Sequence, residues 1–197
     1  MCGIKFGGLL LVFISLAVMI FSLLRKEEPF FNLRDIIKAH KQLIRGSEIL
    51  FCILPMCFAV GLSLLYTAGV QFYTEISVIL GIFLSMLLAS LSILSNYDFS
   101  TVKDASQREK GKKVVRQTIN AIMFDSLLCV FLLLYGLTII VLSSGDFSWI
   151  PISMNIIKAI VSAIAYYLFS VILLNLLLIV KQMSKIIEFN IVVKRDL

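Results

Sequence analysis

Residues 119–142 read INAIMFDSLLCVFLLLYGLTIIVL, an apolar run interrupted by a single charged side chain, Asp125. At about 1.5 Å of rise per residue, a helix of this length crosses the ~30 Å hydrocarbon layer of a bilayer. Just before it stand Lys110-Gly111-Lys112-Lys113 and Arg116. An apolar run with a basic flank is the unit from which the rest of the chain is built.

Four further runs match it in length: 6–24, 49–70, 76–95 and 159–180. In lipid each must be helical, because only a helix satisfies every backbone N–H and C=O within its own segment. Composition agrees. Of 197 residues 60% are hydrophobic and 15% charged, with a mean hydropathy of +1.01, against about 45–50% and about 25% in soluble domains. A soluble fold of this size has no core large enough to hide that excess. The first run reads as a retained span rather than a cleaved leader. It exceeds the roughly 7–15 apolar residues of a signal peptide, and no small-residue cleavage site follows Leu24.

Charge sets the orientation. Segment 25–48 carries six Lys and Arg (Arg25, Lys26, Arg34, Lys38, Lys41, Arg45), segment 96–118 six (Lys103, Arg108, Lys110, Lys112, Lys113, Arg116), and the tail 181–197 four (Lys181, Lys185, Lys194, Arg195). Connections 71–75 and 143–158 hold only Lys158. Five spans place the three basic segments on one side, and the positive-inside rule makes that side cytoplasmic. The expected fold is thus an all-α polytopic membrane protein of five transmembrane helices and a short cytoplasmic amphipathic helix. It sits in the inner (plasma) membrane with the N-terminus outside and the C-terminus in the cytoplasm. Trp149, Phe147 and Tyr73 fall where an aromatic belt belongs.

The amphipathic helix is expected over 33–45, capped by Asn32. Its apolar face carries Leu33, Ile36, Ile37, Leu43 and Ile44, and its basic face Arg34, Lys38, Lys41 and Arg45. Such a helix lies among anionic headgroups or docks on a partner. His40, at the edge of the apolar face, has the type of side chain that titrates near neutral pH. Lys110, Lys112, Lys113 and Arg116 give a second basic element for phospholipid or an acidic protein surface; it is too short and too poor in aromatics for direct nucleic-acid binding. The tail 186–193 is rich in β-branched residues, so a strand and a continued helix both fit it.

Inside the spans, Asp125 is the one deeply placed acid, and Asn175 lies at a similar depth. Ionisable groups there are costly and often functional. The pair serves either as interhelical polar glue or as a proton or cation site, with Lys181 a further candidate partner for Asp125. Ser77, Gly81, Ser85 and Ala89 recur every fourth residue and form a small-residue packing seam, which Ser92 roughly continues; Ala159 and Ala163 give a weaker one. Pro55 removes a backbone hydrogen bond and is expected to kink its helix. Runs 49–70 and 76–95 are expected to form a hairpin with a tight outer turn, as are 119–142 and 159–180. Together the hairpins outline a parallel hydropathy repeat.

No catalytic, cofactor-binding or metal-binding set is expected. The four cysteines (Cys2, Cys52, Cys57, Cys129) are scattered, His40 is the single histidine, and no hydrolase, nucleotide-binding or zinc-protease motif occurs. Two functions remain. One is a homo-oligomeric sensor or anchor subunit that offers its basic elements to a cytoplasmic protein; the other is a small channel, transporter or holin-like permeabiliser. In size, span layout and basic connections (Arg34–Arg45, Lys103–Arg116) the chain resembles the KwaA membrane-subunit family of the Kiwa antiphage defence system. That resemblance implies a homo-oligomeric sensor of phage attack at the envelope, working with a cytoplasmic effector that binds DNA.

Overall fold

The computed structural model describes residues 33–44, 46, 49–96, 105–143 and 154–195, and among these all regular structure is helical. Helix α1 spans Leu33–Leu43, a π-helical turn spans Ile49–Ile53, and α2 (Leu54–Leu65), α3 (Val70–Ser95), α4 (Ala105–Ser143) and α5 (Met154–Arg195) follow. The first run, 6–24, and Asn32, Arg45, Phe147 and Trp149 lie outside the described residues. α3, α4 and the Ile156–Glu188 part of α5 are each long and apolar enough to cross a membrane, and Ile49–Leu65 is a shorter apolar helical stretch.

Local chemistry explains the boundaries. Gly46 adopts φ 92°, a left-handed conformation that needs glycine, and turns the chain out of α1. Pro55 sits in the first turn of α2. Its missing N–H and bulky ring are accommodated by widening the preceding turn to π geometry. The break after α2 falls at 66–69, where Tyr66 and Gly69 are extended. Expectation put it at 71–75, between the apolar runs 49–70 and 76–95, where Gln71, Thr74 and Glu75 stand. They are helical instead: Gln71 Nε2 donates to Glu75 Oε1 at 2.8 Å, and Thr74 Oγ1 to Val70 O at 3.1 Å. The tail is likewise helical to Arg195, which excludes the strand alternative.

Residues 43–197 pack as one unit. Within it α4 lies between α3 and α5, and α5 carries α2 on another side. α2 and α3, although joined by four residues, do not pack on each other. The hairpin expected of them is therefore absent. Their connection is instead bonded to α5: Ala68 N–H donates to Ser162 Oγ at 2.8 Å, and Tyr166 Oη donates to Tyr66 O at 3.3 Å.

The packing seam follows a strict heptad. Buried positions of α4 are Gly111, Val115, Thr118, Ile122, Asp125, Cys129, Leu132 and Gly136, with Ala121 beside them. Their spacing alternates four and three, the 3.5-residue period of a left-handed helix pair. Ile172, Asn175, Ile179, Gln182 and Ile186 repeat it on α5, and Tyr73, Ile76, Leu80, Leu87 and Leu94 on α3. At 39 and 42 residues, α4 and α5 extend about 58 and 63 Å, roughly twice the hydrocarbon thickness. Their shared seam continues to Gly111 and Ile186, near their basic ends.

Tyr73, expected at a membrane interface, is 1% exposed. Its ring packs edge-on to Phe72 and Tyr135, and Phe72 packs edge-on to Tyr166. Tyr135 Oη donates to Val161 O at 2.9 Å. This aromatic cluster closes the end of the bundle opposite the basic termini.

Candidate functional site

Most hydroxyls in the helices are satisfied by their own helix. Ser77 donates to Tyr73 O, Ser85 to Gly81 O, Ser90 to Met86 O, Thr118 to Val114 O, Thr138 to Leu134 O and Ser170 to Tyr166 O, at 2.7–2.9 Å. This arrangement suits a medium that offers no other partner.

Asp125 and Asn175 break that pattern. Both side chains are fully buried in the α4–α5 seam, at 0% exposure. Asn175 is the side-chain hydrogen-bonding neighbour of Asp125 across the seam. Yet neither carboxyl oxygen of Asp125, nor the Nδ2 or Oδ1 of Asn175, has a partner at hydrogen-bonding distance and angle. Lys181, the other candidate partner of Asp125, is exposed. An ionised aspartate at the centre of a transmembrane helix costs about 2.5–3.5 kcal/mol on insertion scales, so the contents of this pair matter energetically.

A second polar layer accompanies the first. The Tyr135–Val161 bond and the Asp125–Asn175 approach fix an antiparallel register, since residue numbers rise on α4 as they fall on α5. Counting one heptad from each toward the basic ends gives Thr118 on α4 and Gln182 on α5. Thr118 is fully buried, Gln182 is 8% exposed, and Gln182 Oε1 is unpartnered. In the other direction the seam is closed by Leu132, Ile172 and Ala165, all fully buried. The Thr118–Gln182 layer was missed in the sequence, although the heptad interval from Asp125 and from Asn175 would have found it.

Beyond the seam, Lys110, Lys112, Lys113 and Arg116 of α4 and Lys181 and Lys185 of α5 are exposed. Apart from Lys158 near the start of α5, the two helices thus carry these exposed cations at the same end. Lys38 and Lys41 of α1 are exposed as well, while Ile36 and His40 are buried; the side chain of Arg34 lies outside the described residues. Ile37, on the expected apolar face, is exposed at 46%. Burial pushes the His40 imidazole down to about 4. That lies below the near-neutral range expected of this side-chain type.

The small-residue seam divides. Ser77 lies beside Gly136, where an added Cβ would sit 3.8 Å from its Oγ. Gly81, Ser85 and Ala89 are exposed on α3, away from α4. Among the described residues, no group of three or more His, Cys, Asp or Glu is placed to hold a metal ion. Cys52 and Cys57 are exposed and Cys129 is buried. No protein-family model, curated protein or solved structure matches the chain.

Proposed function

We propose that this chain is a membrane-embedded, homo-oligomeric sensor or anchor subunit that presents basic elements to a soluble cytoplasmic partner. The observation that carries the reading is the overrun of α4 and α5. Both are about twice as long as a bilayer core requires, and both carry exposed cations at one end (Lys110, Lys112, Lys113, Arg116; Lys181, Lys185). A helix pair with a continuous seam is stiff enough to hold those cations at a fixed distance from the headgroups. Anionic lipid binds the nearer ones, and an acidic protein surface suits those held beyond the screening layer, which is about 8–10 Å thick at ordinary salt.

In this reading the chain spans an inner (plasma) membrane five times, N-terminus outside and C-terminus inside. α1 lies along the inner headgroups, and copies associate through Gly81, Ser85 and Ala89, whose small side chains permit close backbone approach. The hydroxyl of Ser85 is already bonded to its own helix, so this contact is one of shape rather than polarity. A role in antiphage defence, as in the Kiwa membrane subunit, is consistent with such a plan. The channel or transporter alternative draws on Asp125 and Asn175. It is weakened by Leu132, Ile172 and Ala165, which fill the seam beyond them.

The test is co-purification from membranes with the soluble protein encoded beside this chain, compared with Lys110→Glu/Lys112→Glu/Lys113→Glu/Arg116→Glu. A stoichiometric partner lost in the charge-reversed variant, and released by salt from the native one, supports the reading. A chain that purifies alone and dissipates ion gradients in liposomes, with the activity lost in Asp125→Asn, sinks it.

A further inference from the structure

We propose that Asp125 and Asn175 form a proton-binding site that locks α4 to α5, the aspartate held as a neutral carboxylic acid against the carboxamide. Four polar atoms, two on each side chain, are fully buried, face one another across the seam and lack any other partner. An ionised carboxylate is acceptor-only, so it leaves the Asn175 oxygen without a donor and confronts it with a second negative oxygen. A carboxylic acid removes both conflicts. Its O–H donates to Asn175 Oδ1, Asn175 Nδ2 donates to the remaining carboxyl oxygen, and the cyclic pair satisfies all four atoms at once.

Among the described residues, no countercharge lies beside the pair to hold the anion. On α4 the nearest titratable neighbour is Cys129, one turn away and itself buried. α3, which packs on the other side of α4, has Tyr73 and Glu75 as its titratable residues, both near the end remote from the basic termini. On α5 the closest cation is Lys181, about 9 Å along the helix from Asn175 and exposed; Tyr167 lies in the other direction. A lone carboxyl in apolar surroundings keeps its proton instead of ionising.

The site lies toward the basic ends, and the seam it closes runs on through Thr118 and Gln182 to Gly111 and Ile186. Removing the proton places an uncompensated charge on the contact between the two helices and loosens it. The loosening reaches Lys112, Lys113 and Lys185 along the same helices. The site stands whether those cations meet protein or lipid, so its test and the co-purification test fail independently.

Infrared spectroscopy of the full chain in lipid nanodiscs reads the proton directly. At neutral pH the native protein is expected to show one carboxylic-acid carbonyl band that is lost on raising the pH. The band is absent from Asp125→Asn and moves to the position of a non-hydrogen-bonded acid in Asn175→Leu. Asp125→Asn forms an amide–amide ring of the same shape, so it folds; even if it did not, the pH titration of the native band decides. Carboxylate bands alone at neutral pH, or an acid band that survives Asp125→Asn, overturn the proposal. A carboxylate band that shifts when choline replaces sodium also overturns it, and identifies a cation in place of the proton.

Discussion

Gly136 gives the sharpest stability test of the packing between α3 and α4. A Cβ built there would lie 3.6 Å from Tyr73 Cδ1, 3.8 Å from Ser77 Oγ and 3.9 Å from Tyr73 Cβ, all ordinary contact distances. Gly136→Ala therefore fits without displacement. It also removes a helical glycine, worth up to about 1 kcal/mol, so its stability is expected to match the native chain or exceed it by that much. Gly136→Leu adds three more carbons against a tyrosine that is 1% exposed. Overpacking of that kind costs about 1–3 kcal/mol, which separates the two variants by roughly 1–4 kcal/mol. Thermal unfolding in a fixed detergent should show it, at about 2–4 °C per kcal/mol for a chain of this length. Gly136→Leu/Tyr73→Ala should recover part of the loss, because the double variant removes the obstructing ring. If Gly136→Leu is as stable as Gly136→Ala, Tyr73 does not pack on α4 and the register between α3 and α4 is wrong.

Three other perturbations probe separate parts of the molecule. Nothing lies within 4 Å of a Cβ at Gly81, so Gly81→Leu should not lower the unfolding temperature of the monomer, and should raise it slightly by removing a helical glycine, while abolishing cross-linked dimers; dimers that persist would remove Gly81 from the subunit contact. Ser162→Ala deletes the acceptor of the Ala68 N–H and should cost about 1–3 kcal/mol, read as faster hydrogen exchange at Ala68; unchanged exchange would show that the 66–69 connection is held by something else. His40 has its ionisation lowered to about 4 by burial. The stability it contributes is present above its ordinary value of 6.5 and is lost as pH falls from there toward 4. Protection of the α1 amides, corrected for the intrinsic pH dependence of exchange, should thus be constant above pH 6.5 and fall progressively below it; protection unchanged between 6.5 and 4 would show His40 to be solvated.

The sequence made the helices and their basic ends readable because both are properties of composition over long windows. Apolar runs and Lys/Arg asymmetry survive any error in packing. Asp125 and Asn175 were legible by depth alone, since each is a polar side chain at a similar depth from a basic flank. The partnerships were less legible. Gln71 and Glu75 suggested a loop because their helical i, i+4 bond cannot be distinguished by composition from loop polarity. Tyr73 suggested a membrane interface, since burial against Tyr135 and Phe72 depends on which face of α3 meets α4. The α2–α3 hairpin was inferred from a short connection. The bonds from Ser162 and Tyr166 to that connection, which come from the far end of the chain, could not be foreseen. The heptad of α4 was present in the sequence all along, and Thr118 and Gln182 could have been found by stepping seven residues from Asp125 and Asn175.

The proposed orientation, with the basic ends of α4 and α5 inside the cell, is tested most directly by cysteine accessibility in intact cells, with the native cysteines replaced. A membrane-impermeant thiol reagent should label Thr67→Cys, in the connection opposite the basic ends, without permeabilisation, and should label Lys112→Cys only after it. Labelling of Lys112→Cys from outside, with Thr67→Cys protected, would contradict it: the cations would then face away from any cytoplasmic partner.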